Sequence, residues 1–101
     1  MKIYVQSVNF NADKGLIQFV EKKVESLDKF YDRIVDAEVF LKVQQTSEKE
    51  NKNVEVKINV PGDEMMVKKV CKSFEEGVSL SVDSLKRQLN KRKEKQRAHH
   101  T

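Results

Sequence analysis

The sequence predicts an α+β domain with element order β-α-β-β-β-α, in which a four-stranded, mostly antiparallel sheet carries two helices on one face. Three observations lead there. Apolar residues recur with a period of two in four separate stretches, the mark of strands with one buried face. Two longer stretches repeat apolar residues with a helical period, and each has a single apolar stripe. Helices with one stripe need one common partner, and a single sheet face supplies it.

The elements follow in chain order. Ile3, Val5 and Ser7 alternate with Tyr4 and Gln6 as strand one. Asp13 can cap a helix that buries Leu16, Val20, Val24, Leu27 and Tyr31. Ala37, Val39, Leu41 and Val43 alternate with Glu38, Phe40 and Lys42; the polar run 44–53 interrupts before Val54, Val56, Ile58 and Val60 resume. That is a hairpin with a long loop. Pro61, Gly62 and Asp63 make a tight turn into a fourth strand, where Met65, Val67 and Cys71 alternate with Lys68 and Lys72. Lys69 falls on the apolar parity of that strand, which an edge position tolerates. Strand one joins strand two by a right-handed crossover if the two are parallel neighbours.

Ser73 and Glu76 have the spacing of a capping box, ahead of Phe74, Val78, Val82, Leu85 and Leu89. Beyond Leu89 the stripe should continue near positions 92, 93 and 96, which hold Arg92, Lys93 and Gln96. About the last ~10 Å of this helix therefore has nothing apolar to bury, at roughly 1.5 Å per residue. Residues 1–96 are expected to form one domain and 97–101 a frayed tail. No internal repeat or linker divides the chain.

Composition narrows the function. The 101 residues carry a net charge of +4, but residues 86–97 alone carry +6, leaving −2 for the remainder. Basicity confined to one segment points to a docked polyanion. One cysteine, Cys71, precludes an internal disulfide and fits a reducing cytoplasm. The opening residues are too polar for a signal peptide, and no run is apolar enough to span a membrane.

Chemistry is hard to place on this chain. Both histidines, His99 and His100, are in the tail, so the body lacks an imidazole for base, nucleophile or zinc chemistry. Gly15, Gly62 and Gly77 make neither a phosphate loop nor a dinucleotide fingerprint. Asp63 with Glu64 and Glu75 with Glu76 are adjacent in sequence and do not converge; they serve a turn and a helix N-terminus. Lysines flank Cys71, but strand parity turns it inward. No catalysis, cofactor, metal or small-molecule substrate is expected.

The charges are arranged. Arg87, Lys91 and Lys95 form a row facing away from the apolar stripe, and Lys86, Lys93 and Arg97 form a second row on one flank. On helix one, Glu21, Glu25, Asp28 and Asp32 occupy one flank and Lys22, Lys29 and Arg33 the other. A merely solvated face would interleave signs to gain pairs four residues apart. Sorting predicts that the basic flank of helix one borders helix two, making a continuous cationic groove for a phosphate backbone. Phe19 and Phe30 are expected at the core margin, and Tyr4 and Phe40 on the open sheet face.

The segments FVEKKVESLDKFYDRI, VFLKV and DSLKRQLNKRKEK, in this order and spacing, resemble the bacterial hibernation promoting factor and ribosome-associated inhibitor family over residues 1–96. The resemblance implies the same β-α-β-β-β-α fold. It also implies binding to the small ribosomal subunit and its rRNA, between head and body where tRNA and mRNA lie, with ribosomes silenced in stationary phase. The family's basic positions fall here on Lys23, Arg33, Lys42, Arg87, Lys91, Lys93 and Lys95, and Arg92 keeps a charge where relatives have histidine or another base. Joined to the residues read from charge sorting, the expected rRNA-binding set is Lys22, Lys23, Lys29, Arg33, Lys42, Lys86, Arg87, Lys91, Arg92, Lys93 and Lys95.

The chain departs from the family at SFEEGVS, where relatives resemble D-M-Y-A-A-I-D, and Gly77 there costs roughly 1 kcal/mol of helix propensity. It resembles the short form, monomeric when free, and whether it promotes ribosome dimers stays open. A general binder of double-stranded or structured RNA is the alternative. A double-stranded RNA-binding domain, however, starts its last helix with lysines, where this chain has FEEG. Past Leu89 helix two also lacks the apolar face of a membrane-surface helix.

Overall fold

The computed structural model describes the backbone of residues 1–98 and the side chains of residues 1–95. Its elements are β1 (Lys2–Val8), α1 (Lys14–Phe30), β2 (Asp36–Val43), β3 (Lys52–Val60), β4 (Asp63–Cys71) and α2 (Phe74–Ala98). The sheet order is β1-β2-β3-β4. β1 runs parallel to β2, with Val5 opposite Val39, and the other two pairings are antiparallel. This is the architecture expected from the alternation.

One sheet face is covered. Ala37, Val39 and Leu41 of β2, Val54, Val56, Ile58 and Val60 of β3, and Val67 of β4 point to it. Val20, Val24 and Leu27 of α1 and Val78, Val82, Leu85 and Leu89 of α2 close it in a single cluster. Each buried Val, Leu or Ile side chain contributes roughly 1.5–3 kcal/mol of burial before chain entropy is counted. β4 lies at an edge, and Lys69 on its inner face is half-buried.

Local signals set the ends. Asp13 is extended, with φ −76° and ψ 167°, and its Oδ1 accepts from Leu16 N–H at 2.7 Å. Ser73 Oγ accepts from Glu76 N–H at 3.1 Å, and Glu75 and Glu76 lie at the positive end of the α2 dipole. Gly62 has φ +77°, which only the absence of a side chain makes cheap, and it completes the Pro61-Gly62 hairpin turn. Gln44 N–H donates to Asn51 O at 2.8 Å, so β3 begins at Lys52, before the alternation resumes at Val54.

The end of α2 differs from the expectation. The apolar stripe does stop at Leu89, yet the helix stays attached for another turn because Arg92 and Lys93 bond to the body with polar groups. Long cationic stems reach across a core rim that shorter apolar chains cannot span. The overrun thus begins after Lys93. The helix also includes Arg97 and Ala98, which were expected in the tail; the rest of that tail, 99–101, lies outside the described residues.

Candidate nucleic-acid interface

The two helices run parallel. Phe19, Lys22, Lys23 and Ser26 of α1 meet Ser79, Val82, Asp83 and Lys86 of α2 around a cleft of about 510 Å³, and one end further on Lys93 reaches Phe30. Phe19 and Val82 floor the cleft while Lys22, Lys23 and Lys86 rim it. Lys23 Nζ stands 5.9 Å from the centre of the Phe19 ring, a cation–π distance that holds the ammonium at the rim.

Charge sorting on α1 therefore does place basic residues against α2, but over part of its length. Lys29 and Arg33 are exposed and are not among the side chains lining the cleft, and Arg33, with Asp32, lies in the turn beyond the end of α1 at Phe30 rather than on the helix where it was expected. Asp83 does line the cleft, so a carboxylate interrupts the expected continuous groove. Its position on the same flank of α2 as Lys86, three residues away, is legible in the sequence, where the density of bases after it outweighs a single acid.

On α2, Arg87, Lys91 and Lys95 are all exposed along the outer face. Arg92 and Lys93 are not free in the same way. Arg92 Nε donates to Tyr31 Oη at 3.2 Å, Nη1 to Asp63 Oδ2 at 3.1 Å, and Nη2 to the Pro61 carbonyl at 3.2 Å. Lys93 Nζ donates to the Phe30 carbonyl and lies 4.2 Å from the centre of the Phe30 ring. Of the expected set, these two are already engaged within the fold.

Lys42 stands on the other side of the molecule. β2 alternates, so Glu38, Phe40 and Lys42 face the open side of the sheet. Lys42 pairs across β3 with Asn53, and Phe40 with Glu55, which in turn pairs with Lys68 of β4. Val8, Phe40, Lys42, Lys68 and Val70 border a shallow depression of about 470 Å³ there. Tyr4 and Met66 are exposed on the same face, beside the ion pairs of Lys57 with Glu64 at 3.2 Å and with Glu38 at 3.7 Å. Those carboxylates, Glu64 first, raise the Lys57 pKa above its ordinary 10.5.

Cys71 is inward and 6% exposed. Burial first, then Glu76 and Glu50, push its thiol above the ordinary 9.0, and Lys69 opposes them only in part. A raised thiol is the opposite of an activated one. No helix among the described residues is long and apolar enough to cross a membrane.

Fold and surface together define a small α+β module whose helical layer carries a cleft rimmed by lysines and an exposed basic row on α2. Residues 3–97 match the model of the Sigma 54 modulation protein / S30EA ribosomal protein family, and the chain belongs to that family, which includes the hibernation promoting factors it resembled.

Among relatives, it is 33% identical over 93 residues to a ribosome hibernation promotion factor of Deinococcus radiodurans, covering 90% of this chain and 49% of the other. The chain thus spans about half the length of that relative. It is 28% identical to a ribosome hibernation promoting factor of Azotobacter vinelandii, covering 95% of this chain and 86% of the other. Its fold is similar to the N-terminal domain of Protein Y from Thermus thermophilus (TM-score 0.77, 25% identity, 90% of this chain and 98% of that one). It is also similar in fold to a ribosomal subunit interface protein of Coxiella burnetii (TM-score 0.80, 22% identity, 92% and 98%).

Proposed function

We propose that this protein is a ribosome hibernation factor. Residues 1–96 act as one binding domain on small-subunit rRNA in the channel used by tRNA and mRNA, and translation stops by steric occlusion, without catalysis. The single observation that carries the reading is the pairing of an exposed Arg87, Lys91 and Lys95 row on α2 with the neighbouring cleft rimmed by Lys22, Lys23 and Lys86. Phosphates aligned along such a surface release counterions, which favours binding with little regard to base sequence.

Family membership supports the ribosome as partner, since the relatives are named as hibernation factors. Lys42, which the family resemblance puts among the rRNA contacts, faces the side away from the helices, and RNA met on both sides fits a channel better than a flat RNA surface. The free protein is monomeric and cytoplasmic in this reading.

The test is co-sedimentation with isolated small subunits at two salt concentrations, with and without bound initiator tRNA and mRNA. Stoichiometric, salt-sensitive binding that tRNA and mRNA suppress is expected. Binding indifferent to tRNA and mRNA would return the protein to a general structured-RNA binder; no binding would leave the charges to another anion.

A further inference from the structure

Adjacent residues of α2 grip two different parts of the body. Arg92 uses all three guanidinium nitrogens, on the Tyr31 hydroxyl, the Asp63 carboxylate and the Pro61 carbonyl. Lys93 reaches the Phe30 carbonyl and ring. Arg92 thus ties the helix both to the β3–β4 turn and to Tyr31, the C-cap of α1, and Lys93 ties it to Phe30, the last residue of α1. These contacts come at the point where the apolar stripe has run out after Leu89 and the helix has still to reach Ala98.

That remaining stretch is a poor helix by itself. Lys91 and Lys95 are like charges four residues apart, only partly offset by Glu94 between them, and a few residues without packing are far too short to persist on propensity. Arg92 and Lys93 supply at its root the anchorage it lacks. Asp63 neutralises one cation, carbonyls take up the donors of both, and the body supplies the packing that the missing stripe does not.

We propose that Arg92 and Lys93, with Tyr31 and Asp63 behind them, are positioning residues for RNA binding. They keep the last turns of α2 helical and aimed, so that Lys91 and Lys95 meet phosphates already ordered. They make no phosphate contact of their own. The inference rests on the proposed rRNA-binding role. Its advantage is entropic: a segment ordered before binding loses less freedom on binding. Tyr31 is 3% exposed, so it can affect RNA only through the groups it touches within the fold, Arg92 among them.

The decisive variant is Arg92→Lys in the full chain, which keeps the charge and loses the planar fork. Small-subunit affinity is expected to fall about tenfold, within what one charge-assisted network supplies, with the slope of log affinity against log salt unchanged. Amide exchange in residues 94–98 should accelerate. Tyr31→Phe, which removes one hydroxyl from a packed ring, should act in the same direction and more weakly. Lys91→Gln should instead lower the salt slope by about one without accelerating exchange.

Wild-type affinity in Arg92→Lys, or a slope lowered by about one in Arg92→Gln with exchange intact, would make Arg92 a phosphate contact and overturn the inference. If the wild-type protein bound no small subunits, the proposed function would fail. The exchange measurement needs no ribosome, and unchanged protection in Arg92→Lys would overturn the clamp whatever the subunits do.

Discussion

Gly77 of α2 lies so close to Val54 of β3 that a Cβ on the glycine would stand 2.6 Å from Val54 Cγ2 and 3.2 Å from its Cβ. Read from propensity alone, Gly77 is a weak point in the first turn of α2. In the fold it lets the helix backbone settle onto the sheet.

Gly77→Ala should therefore destabilise the protein by about 1–2 kcal/mol despite the better helix former, because overpacking against a stiff β-branched neighbour outweighs propensity. Thermal unfolding reads this as a fall of roughly 4–8 °C per kcal/mol. Val54→Ala costs stability alone but should cost less in the Gly77→Ala background, so a double-mutant cycle should give a favourable coupling of at least ~0.5 kcal/mol.

Arg87→Glu combined with Lys91→Glu should abolish small-subunit binding and leave unfolding nearly unchanged, since both side chains are exposed on the outer face of α2. Surface substitutions of this kind usually stay within about 0.5 kcal/mol of wild type. Full binding by the double variant would remove these residues from the interface.

Lys42→Gln tests whether RNA meets both sides of the molecule. On small subunits it should lower the salt slope by about one, additively with Lys86→Gln on the opposite layer. On an isolated RNA duplex, which can lie along one side only, Lys42→Gln should leave the slope where it is while Lys86→Gln still lowers it. Equal effects of Lys42→Gln on both RNAs would argue against an enclosing channel.

Cys71 carries a pH dependence of definite sign. Its folded pKa is raised above the ordinary 9.0, so the stability it contributes is fully present below that value and is lost as pH rises through the folded pKa. Wild-type stability should fall on the alkaline side, and Cys71→Val should flatten that limb. Alkylation of the native thiol at pH 8 should be much slower than in denaturant; rapid alkylation would contradict the burial.

Much of this protein follows from short-range pattern. Alternation marked four strands, Asp13 and Ser73 marked two helix starts, and the spacing of Arg87, Lys91 and Lys95 put them on the outer face of α2, because periods and caps act within a few residues. The resemblance carried by the basic C-terminal segment led to the right family. Chain spacing also sorted the charges of α1 by flank.

The partners of those charges were another matter. Arg92 meets Tyr31 across 61 positions and Asp63 across 29, and Lys93 meets Phe30 across 63, so no local spacing announces them. Asp83 enters the cleft, and Lys42 faces away from it, only once the helices are laid on one side of a sheet of definite order. Charge density along a chain counts cations; which of them remain available to a partner depends on carbonyls, rings and carboxylates that folding brings up from far away, and that distinction belongs to the tertiary structure.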